Sequence, residues 1–173
     1  MINNHFRTFV AVFVFGFMLT INLYAQTDNR LNGNWISIIN GVKQELRINK
    51  GNFEEIIDGI PYRKGTYSAS NGKLTMESIQ VHGKGINTAL IQRGVNVKDF
   101  GIESKWYTLN EIASALKSAL IKIGATEKEA SEAVRSFSWQ NNTTDYSVDT
   151  NTLTMFPEFR GKIITVTFSK NDL

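Results

Sequence analysis

His82 is the one histidine outside the first 25 residues, and the chain has no cysteine, so any metal site would be built from one imidazole and carboxylates. A serine–histidine–acid arrangement around His82 would need an exposed nucleophile, and no Gly-x-Ser-x-Gly elbow occurs. Glu54, Glu55 and Asp58 crowd one strand-like stretch. On an extended strand Glu54 and Asp58 share a face but lie about 13 Å apart at ~3.3 Å per residue, too far for the carboxylate pair of a retaining glycosidase. All three read as a solvated strand surface. Gly83-Lys84-Gly85 lacks either phosphate-loop spacing and reads as a turn. Asn141-Asn142-Thr143-Thr144 spells two overlapping glycosylation sequons. These residues nominate no catalytic group, no cofactor and no metal ligand.

Apolar and aromatic residues carry the pattern instead. Tyr67–Met76 and Tyr146–Met155 align without a gap, matching at Tyr, Ser, Leu, Thr and Met, and each reads as a β-hairpin. Asn71-Gly72 accepts the positive φ of a tight turn, and Asp149-Thr150-Asn151 supplies short side chains that bond their own backbone. Upstream, Asn40-Gly41, Lys50-Gly51 and Asp58-Gly59 punctuate further strands. In one of these, Val42, Gln44, Leu46 and Ile48 alternate with Lys43, Glu45 and Arg47, as a strand with one wet face does. In Lys73–His82 the parity changes between Leu74/Met76 and Ile79/Val81, which predicts a bulge near Ser78. Residues 83–104 show no period and are expected to form a loop with short strand or turn pieces over one end of the sheet.

Two capping boxes follow. Thr108-Leu109-Asn110-Glu111 opens a helix with Ile112, Leu116, Ala119, Leu120 and Ile123 on one face, ended by Gly124. Thr126-Glu127-Lys128-Glu129 opens a second, striped by Ala130, Ala133, Val134 and Phe137. A last strand is expected over 162–168, with Ile164, Val166 and Phe168 on one side. The fold class that results is mainly β with a helical insertion: an antiparallel up-and-down barrel of about eight to nine strands plus a two-helix hairpin at about 108–138.

Residues 1–25 have the layout of a secretory signal peptide. Arg7 precedes the apolar run Phe9–Leu19, and Ala25 offers a small residue before a cut ahead of Gln26. An uncleaved anchor over Phe9–Ala25 is the alternative, disfavoured by the short run and by Thr20 and Asn22. Residues 26–173 are then a single exported domain, periplasmic or secreted. Without cysteine it carries no disulfide and no cysteine-linked lipid. After cleavage no stretch is left that would span a membrane as a helix. The formal charge of the whole chain is only +3, and its charges are scattered, which argues against a nucleic-acid partner.

Gly33-x-Trp35 at the head of the first strand, Gly65-Thr66-Tyr67, Leu74-Thr75-Met76 and Lys105-Trp106-Tyr107-Thr108 carry a resemblance. With a short-loop meander around them, the chain resembles small exported bacterial lipocalin-like proteins of the calycin type. The resemblance implies a β-barrel whose floor is plugged by Trp35, and a small, partly apolar ligand in the interior. Two helices interrupting the strands depart from the lipocalin pattern, and the arginine that lipocalins carry after the last strand is not evident. The inward parity nominates Trp35, Leu46, Ile48, Tyr67, Leu74, Met76, Leu153, Met155, Val166 and Phe168 as barrel-lining residues. Tyr62, Phe53, Trp106 and Tyr146 are further aromatics for such a cup. Two rivals stand beside this reading: a solid-core module that binds a protein through the helical hairpin, and a small hydrolase or isomerase in the barrel mouth.

Overall fold

The computed structural model describes residues 28–92, 95–98, 100–136, 142–159 and 161–171. Asn40-Gly41, Lys50-Gly51, Asp58-Gly59 and Asn71-Gly72 each hold both residues at positive φ, between 46° and 82°. This is the hairpin geometry whose twist matches that of paired strands. These turns join β1 (Gly33–Ile39), β2 (Val42–Asn49), β3 (Asn52–Ile57), β4 (Ile60–Ser70) and β5 (Lys73–His82) into a meander. An insertion follows: α1 (Gly83–Ile91), β6 (Trp106–Thr108), α2 (Leu109–Lys122) and α3 (Glu127–Ser136). Then come β7 (Asn142–Val148), β8 (Thr152–Phe156), a small ribbon of β9 (Glu158–Phe159) and β10 (Lys162–Ile163), and β11 (Val166–Lys170).

Pairing closes the sheet on itself. The order is β4-β3-β2-β1-β11-β8-β7-β5, and β5 pairs back onto β4, so eight antiparallel strands form a closed barrel with β6 added on β5. The two matching sequence segments adopt matching registers: Tyr67 lies opposite Met76 and Ala69 opposite Leu74, as Tyr146 lies opposite Met155 and Val148 opposite Leu153.

The expected bulge is present. Gly65 pairs with Ser78 and Lys64 with Gln80, leaving Ile79 as the extra residue. Only glycine fits at 65, because a Cβ there would lie 1.8 Å from the Glu77 carbonyl oxygen. The bulge lets β5 change partners. Its first residues, Lys73–Met76, pair with β7, whereas Gln80–His82 pair with β6.

Two large apolar cores result, with a third, small one of Leu120, Ala130 and Ala133 between α2 and α3. One fills the barrel; the other gathers Val81 and Tyr107 with Ile86, Leu90, Phe100, Ile102, Ile112, Leu116 and Ala119 of the insertion. Both expected capping boxes form. Thr108 Oγ1 accepts from the Glu111 amide while Glu111 accepts from the Thr108 amide, and Thr126 and Glu129 repeat the arrangement. Phe137 lies outside the described residues.

Two expectations are corrected. Residues 83–91 form a helix rather than a turn and loop. Its Gly83 and Gly85 lower helix propensity, which hides it from the sequence, yet a Cβ on Gly85 would lie 2.6 Å from the Pro61 carbonyl oxygen. Close packing on β4 therefore outweighs propensity. The last strand is Val166–Lys170, not 162–168: Lys162–Ile163 folds back on Glu158–Phe159, leaving Ile164 exposed.

Candidate functional site: the barrel interior

One end of the barrel is shut by a 3₁₀ turn, Asn29–Leu31, capped by the Asp28 side chain. Leu31 and Trp35 have no exposed surface, and Trp35 Nε1 donates to the Leu31 carbonyl at 2.7 Å, so the indole is fixed by packing and by a bond. Lys170 of β11 lies with Nζ 5.5 Å from the Trp35 ring centroid.

Asp28 ties the turn to the wall. Tyr146 donates to its Oδ2 at 2.9 Å, and Arg30 pairs with the same oxygen at 2.7 Å. The hydrogen bond from Arg30 is the main cause holding the Asp28 pKa at about 2, against a smaller opposing effect of burial. Burial, then the bond to Asp28, pushes Tyr146 up to about 12. Tyr67, in the same region, is also raised, chiefly by burial.

All ten residues nominated to line the barrel belong to one apolar cluster. Trp35, Leu46, Ile48, Tyr67, Leu74, Met76, Leu153 and Phe168 are buried, and Met155 and Val166 pack against them half-buried. Of the other aromatics, Phe53 is in this cluster and Tyr146 packs on it, but Tyr62 packs on the helical core. Trp106 lies on the opposite sheet face from Tyr107, edge-on to His82 at 5.0 Å, with Lys64 Nζ 4.3 Å from its ring. Neither Tyr62 nor Trp106 lines the cup.

Next toward the mouth, a polar belt replaces the apolar floor. Ser37 faces Gln44 across β1 and β2, Glu55 faces Arg63 across β3 and β4, and Ser78 faces Gly65 across β4 and β5. Glu55 is 5% exposed, so it is not the solvated residue the sequence suggested. Its Oε1 accepts from Gln44 Nε2 at 2.5 Å, and its Oε2 accepts from Arg63 Nε. Arg63 Nη1 also reaches Ser78 Oγ at 3.3 Å, and its guanidinium lies 5.6 Å from the Phe53 ring. Burial alone would lower the Arg63 pKa; the Glu55 carboxylate reverses that, and the net shift is upward. Facing this belt, Met155 and Val166 sit opposite each other across β8 and β11. The mouth is rimmed by Ile39 and Val42, which share the inward parity and are 41% and 40% exposed.

The belt was missed although parity held a signal for it. Ser37, Gln44, Glu55 and Ser78 each stand two residues from a core residue, Trp35, Leu46, Phe53 and Met76, and therefore point the same way.

The remaining candidates do not join the interior. Glu54 points outward to Arg47 at 3.6 Å, and Asp58 accepts from the Lys43 amide in its turn. His82 caps α1 by accepting from the Lys84 amide at 3.3 Å, with a pKa lowered by burial first and by Lys84 next. Asn142 pairs with Met76 on the inward row, a poor position for a glycan, and Asn141 lies outside the described residues. Among the described residues no group of three or more histidines and carboxylates could hold a metal ion, and no helix is long and apolar enough to cross a membrane. Compared with protein-family models, curated proteins and solved structures, the chain matches none.

Proposed function

We propose that the protein is an exported, lipocalin-like binding protein that holds one small, partly apolar molecule in the barrel interior. The observation that carries this reading is the grading of a single inner surface. An apolar floor sealed by Trp35 gives way to a polar belt, which faces the half-buried Met155 and Val166 below an aliphatic rim. Eight-stranded barrels are wide enough inside for side chains alone or for one small ligand, and a graded wall suits an amphiphilic guest. Export is supported by the charge, apolar run and small residue of the first 25 positions.

Native mass spectrometry of residues 26–173, purified without denaturant from the exported fraction, tests the proposal. The expected result is an added mass that leaves on denaturation. A bare monomer mass, together with no change in tryptophan fluorescence on titration with 1-decanol, would overturn it.

Ile38 of β1 and Ile163 of the β9–β10 ribbon, each 72% exposed, favour a second reading in which the outer surface contacts a protein. A clean dimer mass without added ligand is the result that would put this reading first.

A further inference from the structure

The polar belt has almost no charge to offer. Both oxygens of Glu55 are engaged, one by the Gln44 amide nitrogen and one by Arg63, so the acid and the base neutralise each other inside the barrel. Because Gln44 turns its NH₂ to the carboxylate, its carbonyl Oε1 points elsewhere. Among the described residues neither that oxygen nor the Ser37 hydroxyl has a hydrogen-bond partner, and Ser37 and Gln44 face each other across β1 and β2. The belt therefore presents the Gln44 acceptor, the Ser37 hydroxyl that donates or accepts, and the outer N–H groups of Arg63, which belong to an ion pair without net charge.

Consider what a guest would meet. A carboxylate head can reach the outer N–H groups of Arg63, but Glu55 already offsets that charge, so the ion gives up its hydration for a pair with no net charge to return. An ammonium is drawn to Glu55, whose two oxygens already accept from Gln44 and Arg63, and is repelled by the Arg63 guanidinium. An uncharged head with a donor and an acceptor finds Gln44 Oε1 and Ser37 Oγ ready and leaves the ion pair intact. Its apolar body would extend along Met155 and Val166.

We propose that Ser37, Gln44 and the Glu55–Arg63 pair form a head-group subsite that selects an alcohol or primary amide on an apolar body over a carboxylate or ammonium on the same body. This inference rests on the ligand-binding reading above.

The test compares four probes of equal chain length, 1-decanol, decanamide, decanoate and decylammonium, by tryptophan fluorescence titration of residues 26–173 at pH 7.5. The alcohol and the amide are expected to bind about tenfold or more tighter than either ion, the discrimination that an unpaired buried charge imposes. Glu55→Gln leaves Arg63 uncompensated and should shift the preference toward decanoate by about tenfold. Should that variant fail to fold by circular dichroism, Ser37→Ala decides. It keeps the ion pair and should weaken the alcohol and amide by about fivefold while leaving decanoate unchanged. Decanoate binding the parent as tightly as decanol would overturn the subsite and leave ligand binding standing. Binding by none of the four would overturn both.

Discussion

Arg63 donates through Nε to Oε2 of Glu55 within the barrel, the two residues opposite each other on β4 and β3, with side chains only 16% and 7% exposed. A buried pair of this kind repays its desolvation only through good geometry and further hydrogen bonds, here from Gln44 and to Ser78. Removing one partner should therefore cost much more than removing both. Glu55→Ala is expected to destabilise by about 3–5 kcal/mol, whereas Glu55→Leu with Arg63→Met should stay within about 1 kcal/mol of the parent. Urea unfolding of the three proteins measures the difference. A cheap Glu55→Ala would mean that water already reaches Arg63.

Trp35 seals the floor by volume and by one bond, and two substitutions separate these contributions. Trp35→Ala should cost about 3–5 kcal/mol, since the aromatic is wholly buried against Leu31 and its neighbours. Trp35→Phe keeps an aromatic ring but loses the bond from Nε1 to the Leu31 carbonyl, at a cost of about 1–3 kcal/mol. Thermal melts report both. A melting temperature for Trp35→Ala within a degree of the parent would remove Trp35 from the floor.

The barrel was legible because its information is local. Asx-Gly turns, two-residue alternation and a repeated Tyr-to-Met segment specify hairpins and registers directly, and Tyr67 opposite Met76 follows from them. What stayed hidden depends on partners distant in sequence. The helix that opens at Gly83 is permitted by the close approach of its Gly85 to Pro61, 24 residues earlier. Glu55 reads as a surface acid until Arg63 and Gln44 close on it from the neighbouring strands. Trp106 reads as a core aromatic, but strand alternation gives the core side to its neighbour Tyr107 and sends Trp106 outward to Lys64 and His82.

The latch at Asp28 predicts a pH dependence with a definite sign. Its folded pKa of about 2 lies below the ordinary value of 3.8, set first by the hydrogen bond from Arg30. The ionised form is thus favoured by folding. The stabilisation is full above pH 4 and is lost as pH falls through about 2. Arg30 is largely exposed, so screening reduces the benefit to about 1 kcal/mol. Asp28→Asn should be less stable than the parent by that amount at pH 7, and the two should converge only below pH 2. Urea midpoints across this range check it, and a constant difference at all pH values would assign the effect to Tyr146 packing instead.

Gly65 and Gly41 test whether the bulge is fixed by backbone approach. Gly41 has φ +81° with nothing within 4 Å of an added Cβ, so Gly41→Ala meets only the left-handed backbone cost of about 1–2 kcal/mol. At Gly65 a Cβ would sit 1.8 Å from the Glu77 carbonyl oxygen and 3.0 Å from the Ile79 amide nitrogen. β5 would have to move, and its movement disturbs the switch from β7 to β6 on which the helical core is built. Gly65→Ala is therefore expected to cost about 3 kcal/mol or more. Hydrogen exchange should show the loss of protection concentrated in Gln80–His82 and Trp106–Thr108, while the Tyr146–Met155 hairpin keeps its own. An equal cost for the two alanine variants would mean that β4 and β5 part easily at the bulge, and that the barrel and the helical insertion are joined there more loosely than the register implies.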